Sequence, residues 1–170
     1  MEHKNIRQVT KNICLTGILM AINIVLSSSI FCVPVPGGHL YVNDIIICLA
    51  GLILNPFYAF CAGGVGAFLG DLFFYPTPMF VTLVTRGVQV VVISLISHYL
   101  FKKKPLLSGI IAVTVGAVIM VGGYTIGRAF VYANIETAML KLPYQILQAL
   151  TGCVIAPILA YNKQVKRIIK

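Results

Sequence analysis

The sequence predicts an all-α fold: an integral membrane bundle of six transmembrane helices in a single domain, residues 1–170, with both termini cytoplasmic. Three observations predict this class. Hydrophobic residues form 59% of the chain and charged residues only 10%, whereas soluble domains carry about 25% charged residues. The apolar residues fall into six runs, and ten of the 13 basic residues flank those runs in three clusters. The clusters are Lys4, Arg7 and Lys11; Lys102, Lys103 and Lys104; and Lys163, Lys166, Arg167 and Lys170.

The six apolar runs are the expected helices in chain order. They cover residues 13–33, 41–54, 57–73, 78–100, 106–132 and 142–162. The first run is about 21 residues long, which suits a membrane span better than the apolar region of a cleaved signal peptide. The outer loops are then expected at 34–40, 74–77 and 133–141.

The second and third runs are separated only by Asn55 and Pro56, so they form either one kinked helix or two helices in a tight hairpin. One kinked helix would give five crossings and place the basic clusters on opposite faces. Two helices give six crossings and place all three clusters in the cytoplasm, as the positive-inside rule favours. At 1.5 Å per residue, both helices would be only about 20 to 25 Å long, shorter than the ~30 Å hydrocarbon core.

Four ionisable residues lie in or at the edges of the apolar runs: Asp44, Asp71, Arg86 and Arg128. A charge at bilayer depth costs about 2.5 to 3.5 kcal/mol on insertion scales. Such residues persist when they pair, face a water-filled cavity or bind a ligand. The topology places all four in the outer half of the bilayer.

Other polar residues share helix faces with these charges. Two explanations are open: Asp–Arg pairs that only lock helices together, or a ligand cavity with polar groups and aromatic walls. The number of polar groups near one depth favours the cavity. The candidate substrate-binding residues are Asn43, Asp44, Asp71, Tyr75, Thr82, Arg86, Gln89, Tyr124, Arg128, Tyr144 and Gln148.

Several function classes are disfavoured. The cytoplasmic halves of the helices are almost purely apolar, which argues against a channel. Catalytic motifs are absent, so we expect no enzyme activity, and the scattered cysteines indicate neither a metal nor another cofactor. The flanking positions of the basic residues argue against nucleic-acid binding. The chain also lacks a Walker motif, so uptake would need ATPases from a partner, and the small residues Gly17 and Ala21 on helix 1 provide a candidate partner interface.

Five segments carry a resemblance to a known family: LTGILMA at 15–21, GHLYVND at 38–44, AGGVGAFLGDL at 62–72, GGY at 122–124 and LPYQILQALTG at 142–152. In their order and spacing the chain resembles the substrate-binding S component of an energy-coupling factor (ECF) vitamin transporter. The resemblance implies a multi-pass protein of the bacterial cell membrane, in contact with membrane lipid. It would capture a vitamin or precursor at the outer face and dock on a transmembrane coupling (T) component driven by two cytoplasmic ATPases. Gly17 and Ala21 would contact the T component.

The nearest branch by resemblance is the hydroxymethylpyrimidine- and pyridoxine-type S components. That branch commonly has Lys where this chain has Arg86, and an acidic residue where Arg128 stands. The change of sign at position 128 suggests a more anionic ligand, or one with an acceptor edge. The competing hypothesis is a stand-alone small membrane channel or assembly protein with a structural polar lock.

Overall fold

The computed structural model describes residues 2–28, 32–36, 38–100 and 105–162. Within these ranges the chain forms six helices and one β-hairpin. The helices are α1 (Glu2–Leu26), α2 (Asp44–Ile53), α3 (Pro56–Phe74), α4 (Met79–Leu100), α5 (Pro105–Tyr132) and α6 (Ile135–Tyr161). The hairpin consists of β1 (Cys32–Val35) and β2 (Gly38–Tyr41), which lie between α1 and α2 and pair in antiparallel register.

The predicted all-α membrane bundle is confirmed. Five helices are long and apolar enough to cross a membrane, and the sixth, α2, is apolar but has only 10 residues. A helix of that length rises about 15 Å, roughly half of the hydrocarbon core. The prediction that both α2 and α3 are short is wrong for α3, which spans 19 residues.

The chain breaks between α2 and α3, so the two-helix interpretation of residues 41–73 is confirmed. Leu54 (φ −96°, ψ 151°) and Asn55 (φ −61°, ψ 156°) are both extended. Pro56 then occupies the start of α3, where its missing N–H removes no helical hydrogen bond.

Two of the predicted outer loops are corrected. Residues 34–40 lie mostly in the hairpin, and α1 ends at Leu26 rather than near residue 33. Residues 133–141 are mostly helical, because α6 begins at Ile135. Asn134 caps this helix by accepting a 2.9 Å hydrogen bond from the Thr137 backbone N–H, and the two residues form a capping box. Hydropathy missed this first turn because it is polar.

The short helix α2 lies at the centre of the bundle and packs against α4 and α6. Seven of its ten residues are buried, which explains how so short an apolar helix avoids exposing its ends to lipid. Close packing on α4 requires a glycine: a Cβ on Gly51 would stand 2.7 Å from Ile93 Cγ2. Ile47 and Ile93 are fully buried in this core.

A polar cluster joins α1 to α3 and to the segment before α2. Helix α3 contains a wider π-helical turn, Phe60–Val65, which leaves backbone carbonyls available for other donors. Asn23 of α1 donates to the carbonyls of Ala62 (3.1 Å) and Gly63 (3.2 Å), and Asn43 donates to Asn23 Oδ1 at 3.1 Å. Because these bonds satisfy buried polar groups, they fix the position of α1 against the bundle.

The predicted topology relative to the membrane stays a prediction. The basic clusters at 102–104 and 163–170 lie outside the described residues. The end of the bundle where α2 begins gathers the polar residues described next, and we call it the Asp44 end.

Candidate functional site

Asp44, the first residue of α2, accepts hydrogen bonds from two other helices. Arg86 of α4 forms a salt bridge with it through Nη1, and Arg86 Nη2 lies 3.3 Å from Asp44 Oδ2. Gln148 of α6 donates to the same Oδ2 at 2.6 Å. The side chains of Arg86 and Asp44 are 2% and 1% exposed. A buried, bidentate ion pair therefore connects α2 to α4, and the Gln148 hydrogen bond connects α6 to the same carboxylate.

A second hydrogen-bonded chain runs from α3 through α4 to α5. Thr82 donates to Asp71 Oδ2 at 2.5 Å, and Tyr124 donates to Thr82 Oγ1 at 2.9 Å. A hydroxyl group can donate and accept at once, so Thr82 connects the other two residues. The Arg86 guanidinium lies over the Tyr124 ring, 5.2 Å from its centroid, which places this chain beside the ion pair.

Arg86 keeps one donor without an acceptor. Nη1 also donates to Gln89 Oε1 at 2.9 Å, but Nε is buried and has no hydrogen-bond partner among the described residues. Buried donors in folded proteins almost always find partners, and each exception calls for an explanation such as a ligand or an ordered water.

Two further cations lie under the hairpin. Arg128 of α5 and Lys141 of α6 are 4% and 7% exposed. Gly38 at the start of β2 has φ 145°, and a Cβ there would stand 3.1 Å from Lys141 Nζ and 3.3 Å from Arg128 Nη1. Arg128 Nη2 also donates to the Tyr132 hydroxyl at 3.2 Å. The hairpin backbone therefore reaches both cationic groups.

A small cavity of about 20 Å³ lies at the Asp44 end. That volume is about enough for one water molecule. The walls combine charged, amide, aromatic and thioether side chains from β2, α4, α5 and α6. They are Tyr41, Arg86, Met120, Tyr124, Lys141, Gln145 and Gln148. A larger groove of about 510 Å³ between α5 and α6 has apolar walls and includes none of the predicted substrate residues.

Four other predicted substrate residues are not among those that line this cavity: Asn43, Tyr75, Gln89 and Tyr144. Gln89 accepts from Arg86 and donates to Cys48 Sγ at 3.8 Å. Asn43 points to α1, where it bonds Asn23 and also Ser27 Oγ at 3.1 Å. Tyr75 follows α3, and its ring lies edge-on to that of His39 in β2, with centroids 5.2 Å apart. Tyr144 is half-buried on α6.

The sequence reasoning missed four residues of the cavity wall: Tyr41, Met120, Lys141 and Gln145. A signal was present for two of them, because Lys141, Gln145 and Gln148 follow the i, i+4, i+7 spacing of one helix face. The interpretation of 133–141 as a loop hid that pattern. Tyr41 enters through the hairpin, where its backbone N–H donates to Gln148 Oε1 at 3.2 Å.

Gly17 and Ala21, the predicted partner interface, are exposed on α1, and a Cβ on Gly17 would meet nothing within 4 Å. The small residues therefore face away from the described bundle.

The chain is similar to known proteins over most of its length. A family model described as "ECF-type riboflavin transporter, S component" matches residues 7–167. A protein of Pyrococcus woesei described as "Uncharacterized protein in gap 3'region" is 31% identical over 131 residues, covering 76% of this chain and 86% of that protein. The matched description names riboflavin, so the hydroxymethylpyrimidine- and pyridoxine-type branch is not confirmed.

Proposed function

Because this chain belongs to the family of ECF-type riboflavin transporter S components, we propose that it captures a vitamin-like heterocycle at the outer face of the membrane and releases it to a T component driven by two cytoplasmic ATPases. S components are multi-pass membrane proteins and transporter subunits rather than enzymes. The chain is accordingly the substrate-binding subunit of an ECF transporter. We further propose the class of the heterocycle, its binding site and the surface that contacts the T component.

The polar cavity at the Asp44 end is the observation that supports this binding site best. A structural lock needs Asp44, Arg86 and Gln148, in which Arg86 and Gln148 both donate to Asp44. Lys141 and Gln145 also line the cavity. Arg86 Nε, buried without an acceptor among the described residues, provides a donor that a ring nitrogen or carbonyl of the ligand would satisfy.

The β-hairpin is the proposed cover of this site. The cavity of about 20 Å³ is too small for any vitamin. Tyr41 of β2 forms part of its wall and bonds Gln148, so a shift of the hairpin would both open the site and expose Gln148. Helices α4, α5 and α6 form the rest of the wall and are more extensively packed, so the hairpin is the element expected to move.

Two substrate sizes are candidates. The family description favours riboflavin, a three-ring heterocycle. The resemblance to the hydroxymethylpyrimidine- and pyridoxine-type branch favours a single-ring substrate. In either case Tyr124, which already lies beside the Arg86 guanidinium, would provide an aromatic wall for the ring.

The proposed partner surface is the face of α1 that carries Gly17 and Ala21. Small residues let two helix backbones approach closely in the membrane, where packing drives association. Gly17 has open space around it, so a larger residue there would disturb a partner before it disturbs the fold.

The test is affinity purification of the tagged protein from membranes, followed by mass spectrometry of co-purified proteins and of extracted small molecules. We expect a T component and two ATPases, and a vitamin-like heterocycle in the extract. Gly17→Leu should remove the partner proteins and leave the small molecule bound. Gly122→Leu is the matched control, because Gly122 on α5 also has nothing within 4 Å of a built Cβ. If Gly17→Leu retains the T component, or if no heterocycle is found, the proposal is wrong in the corresponding part.

A further inference from the structure

An open apolar groove follows the seam between α5 and α6. Its first part has a volume of about 510 Å³ and lies along residues 114–122 of α5 and 146–153 of α6. Its second part, about 400 Å³, lies along residues 106–110 and 153–162. Because Cys153 lines both parts, the groove continues along α6 for about 24 Å, the rise from residue 146 to residue 162. It therefore reaches the end of the bundle opposite the Asp44 end.

The first part of the groove is suited to hydrocarbon. Apart from Thr114 and Cys153, its lining consists of alanine, glycine and branched aliphatic residues. Thr114 Oγ1 donates to the Ile110 carbonyl at 2.9 Å, and Cys153 Sγ donates to the Val113 carbonyl at 3.4 Å. Among the lining residues no side-chain donor is therefore left for an occupant. A polar group placed there would lose its hydrogen bonds to water without a replacement, which is costly.

The width of the groove suits an acyl chain better than a partner helix. Spread over the roughly 12 Å that residues 114–122 rise, 510 Å³ corresponds to a mean cross-section of about 40 Å². A helix with its side chains is about 10–12 Å across, a cross-section of about 80–110 Å². Val118 of α5 and Leu150 of α6 are 70% and 55% exposed on the two sides of the groove. A neighbouring helix would rest on these side chains rather than enter the groove.

Positive charge is concentrated at the end where the second part of the groove opens. Lys104 directly precedes Pro105, the first residue of α5, and Lys163 directly follows Asn162, which lines the groove. Both lysines lie outside the described residues, but consecutive Cα atoms are only about 3.8 Å apart, so the chain itself keeps them near this opening. Three of the four acidic residues belong to the Asp44 end, and Glu2 is the exception. Lysine and arginine clusters beside membrane helices favour anionic lipid headgroups.

From the apolar lining, the width and the charge at the opening, we propose that the groove between α5 and α6 binds one acyl chain of an anionic phospholipid, with the headgroup at the end where α6 ends. The bound chain fills the seam and stabilises the packing of α5 against α6. With the predicted topology, this lipid belongs to the cytoplasmic leaflet. The lipid site is separate from the substrate cavity and from the α1 face that carries Gly17 and Ala21.

Native mass spectrometry of the purified full-length protein in detergent tests lipid binding directly. The probes are dioleoyl phosphatidylglycerol, which is anionic, dioleoyl phosphatidylethanolamine, which has the same chains and no net charge, and dihexanoyl phosphatidylglycerol, which has the same headgroup on short chains. We expect one saturable adduct with dioleoyl phosphatidylglycerol, at least about fivefold tighter than with the ethanolamine lipid, as one nearby lysine would provide. The short-chain lipid should bind more weakly because it cannot reach the first part of the groove.

Two variants place a large side chain in the groove without disturbing the core. Thr114 and Leu150 are exposed and line the groove, so Thr114→Trp and Leu150→Trp should each remove the saturable adduct. Val84→Trp is the matched control, because Val84 is 65% exposed on α4 and should keep it. Thermal unfolding in detergent without added lipid identifies a variant that fails to fold, and the other variant then decides the result.

The proposal is overturned if the wild-type protein shows no saturable adduct, if the two dioleoyl lipids bind equally, or if the short-chain lipid binds as tightly as the long-chain one. It is also overturned if a folded Trp variant keeps the adduct. A dimer of this chain that either Trp variant dissociates would identify a second copy as the occupant and overturn the lipid assignment.

Discussion

Removing the carboxylate of the buried ion pair should destabilise the fold strongly. In Asp44→Asn, Arg86 would remain 2% exposed with a neutral amide in place of its counter-ion. The loss includes the salt bridge, the second Arg86 contact at 3.3 Å and the strong acceptor of the Gln148 bond at 2.6 Å. Breaking a buried pair by removing one partner typically costs about 3–5 kcal/mol in free energy of unfolding. We expect Asp44→Asn to fall in that range.

A double-mutant cycle separates the pair from its surroundings. Arg86→Gln should also destabilise the protein, because Asp44 would stay buried and, among the described residues, would keep Gln148 as its one side-chain donor. The double variant Asp44→Asn/Arg86→Gln removes both charges together. We therefore expect it to be more stable than the sum of the two single changes predicts, with a coupling of about 2 kcal/mol, within the range found for interacting pairs.

The assay is equilibrium unfolding of the purified protein in mixed micelles, followed by circular dichroism. Glu136→Gln is the matched control, because this carboxylate is exposed in the first turn of α6 and should change stability by no more than about 0.5 kcal/mol. The reasoning is refuted if Asp44→Asn costs less than about 1 kcal/mol and the double variant is additive, since the pair would then behave as a hydrated surface pair.

Three further predictions concern topology, helix packing and the hairpin. The six-helix topology places both termini and the 102–104 loop in the cytoplasm. A cysteine that replaces Lys103 in a cysteine-free background should therefore not react with a membrane-impermeant maleimide in intact cells. Labelling at this position would contradict the topology. Asn23→Leu removes three hydrogen bonds that join α1 to α3 and to Asn43. At roughly 0.6 kcal/mol for each bond, the free energy of unfolding should fall by about 2 kcal/mol. A decrease of less than about 0.5 kcal/mol would show that these bonds do not hold α1 in place. Gly38→Ala places a side chain on a backbone with φ 145° and brings its Cβ close to Lys141 Nζ. Thermal unfolding should therefore show a free energy of unfolding about 1 kcal/mol lower. Unchanged stability would indicate that the hairpin adjusts without cost.

The sequence determined the membrane class and most of the helices. Length and hydropathy located α3, α4 and α5 within a few residues because apolar composition over about 20 residues is a local property. The same local signals identified Asp44, Asp71, Arg86 and Arg128 as unusual, since a charge within an apolar run is evident without a structure. The motif order likewise sufficed for the family.

The first turn of α6 was also encoded locally, in Asn134 and Thr137, but hydropathy does not register a capping box. Placing the start of α6 at Ile135 would have put Lys141 on the same face as Gln145 and Gln148. The sequence therefore encodes the start of α6, although hydropathy alone does not detect it.

Only the tertiary structure decided which polar groups meet. Arg86 pairs with Asp44, 42 residues away, and Gln148 reaches the same carboxylate across 104 residues. Asp71 instead accepts from Thr82. These choices depend on how the helices are rotated and how deeply α2 is buried, and hydropathy is nearly the same for every rotation of an apolar helix. The hairpin next to Arg128 and Lys141 could not be predicted from the sequence either, because its strands are short and their position depends on the helices that they cover.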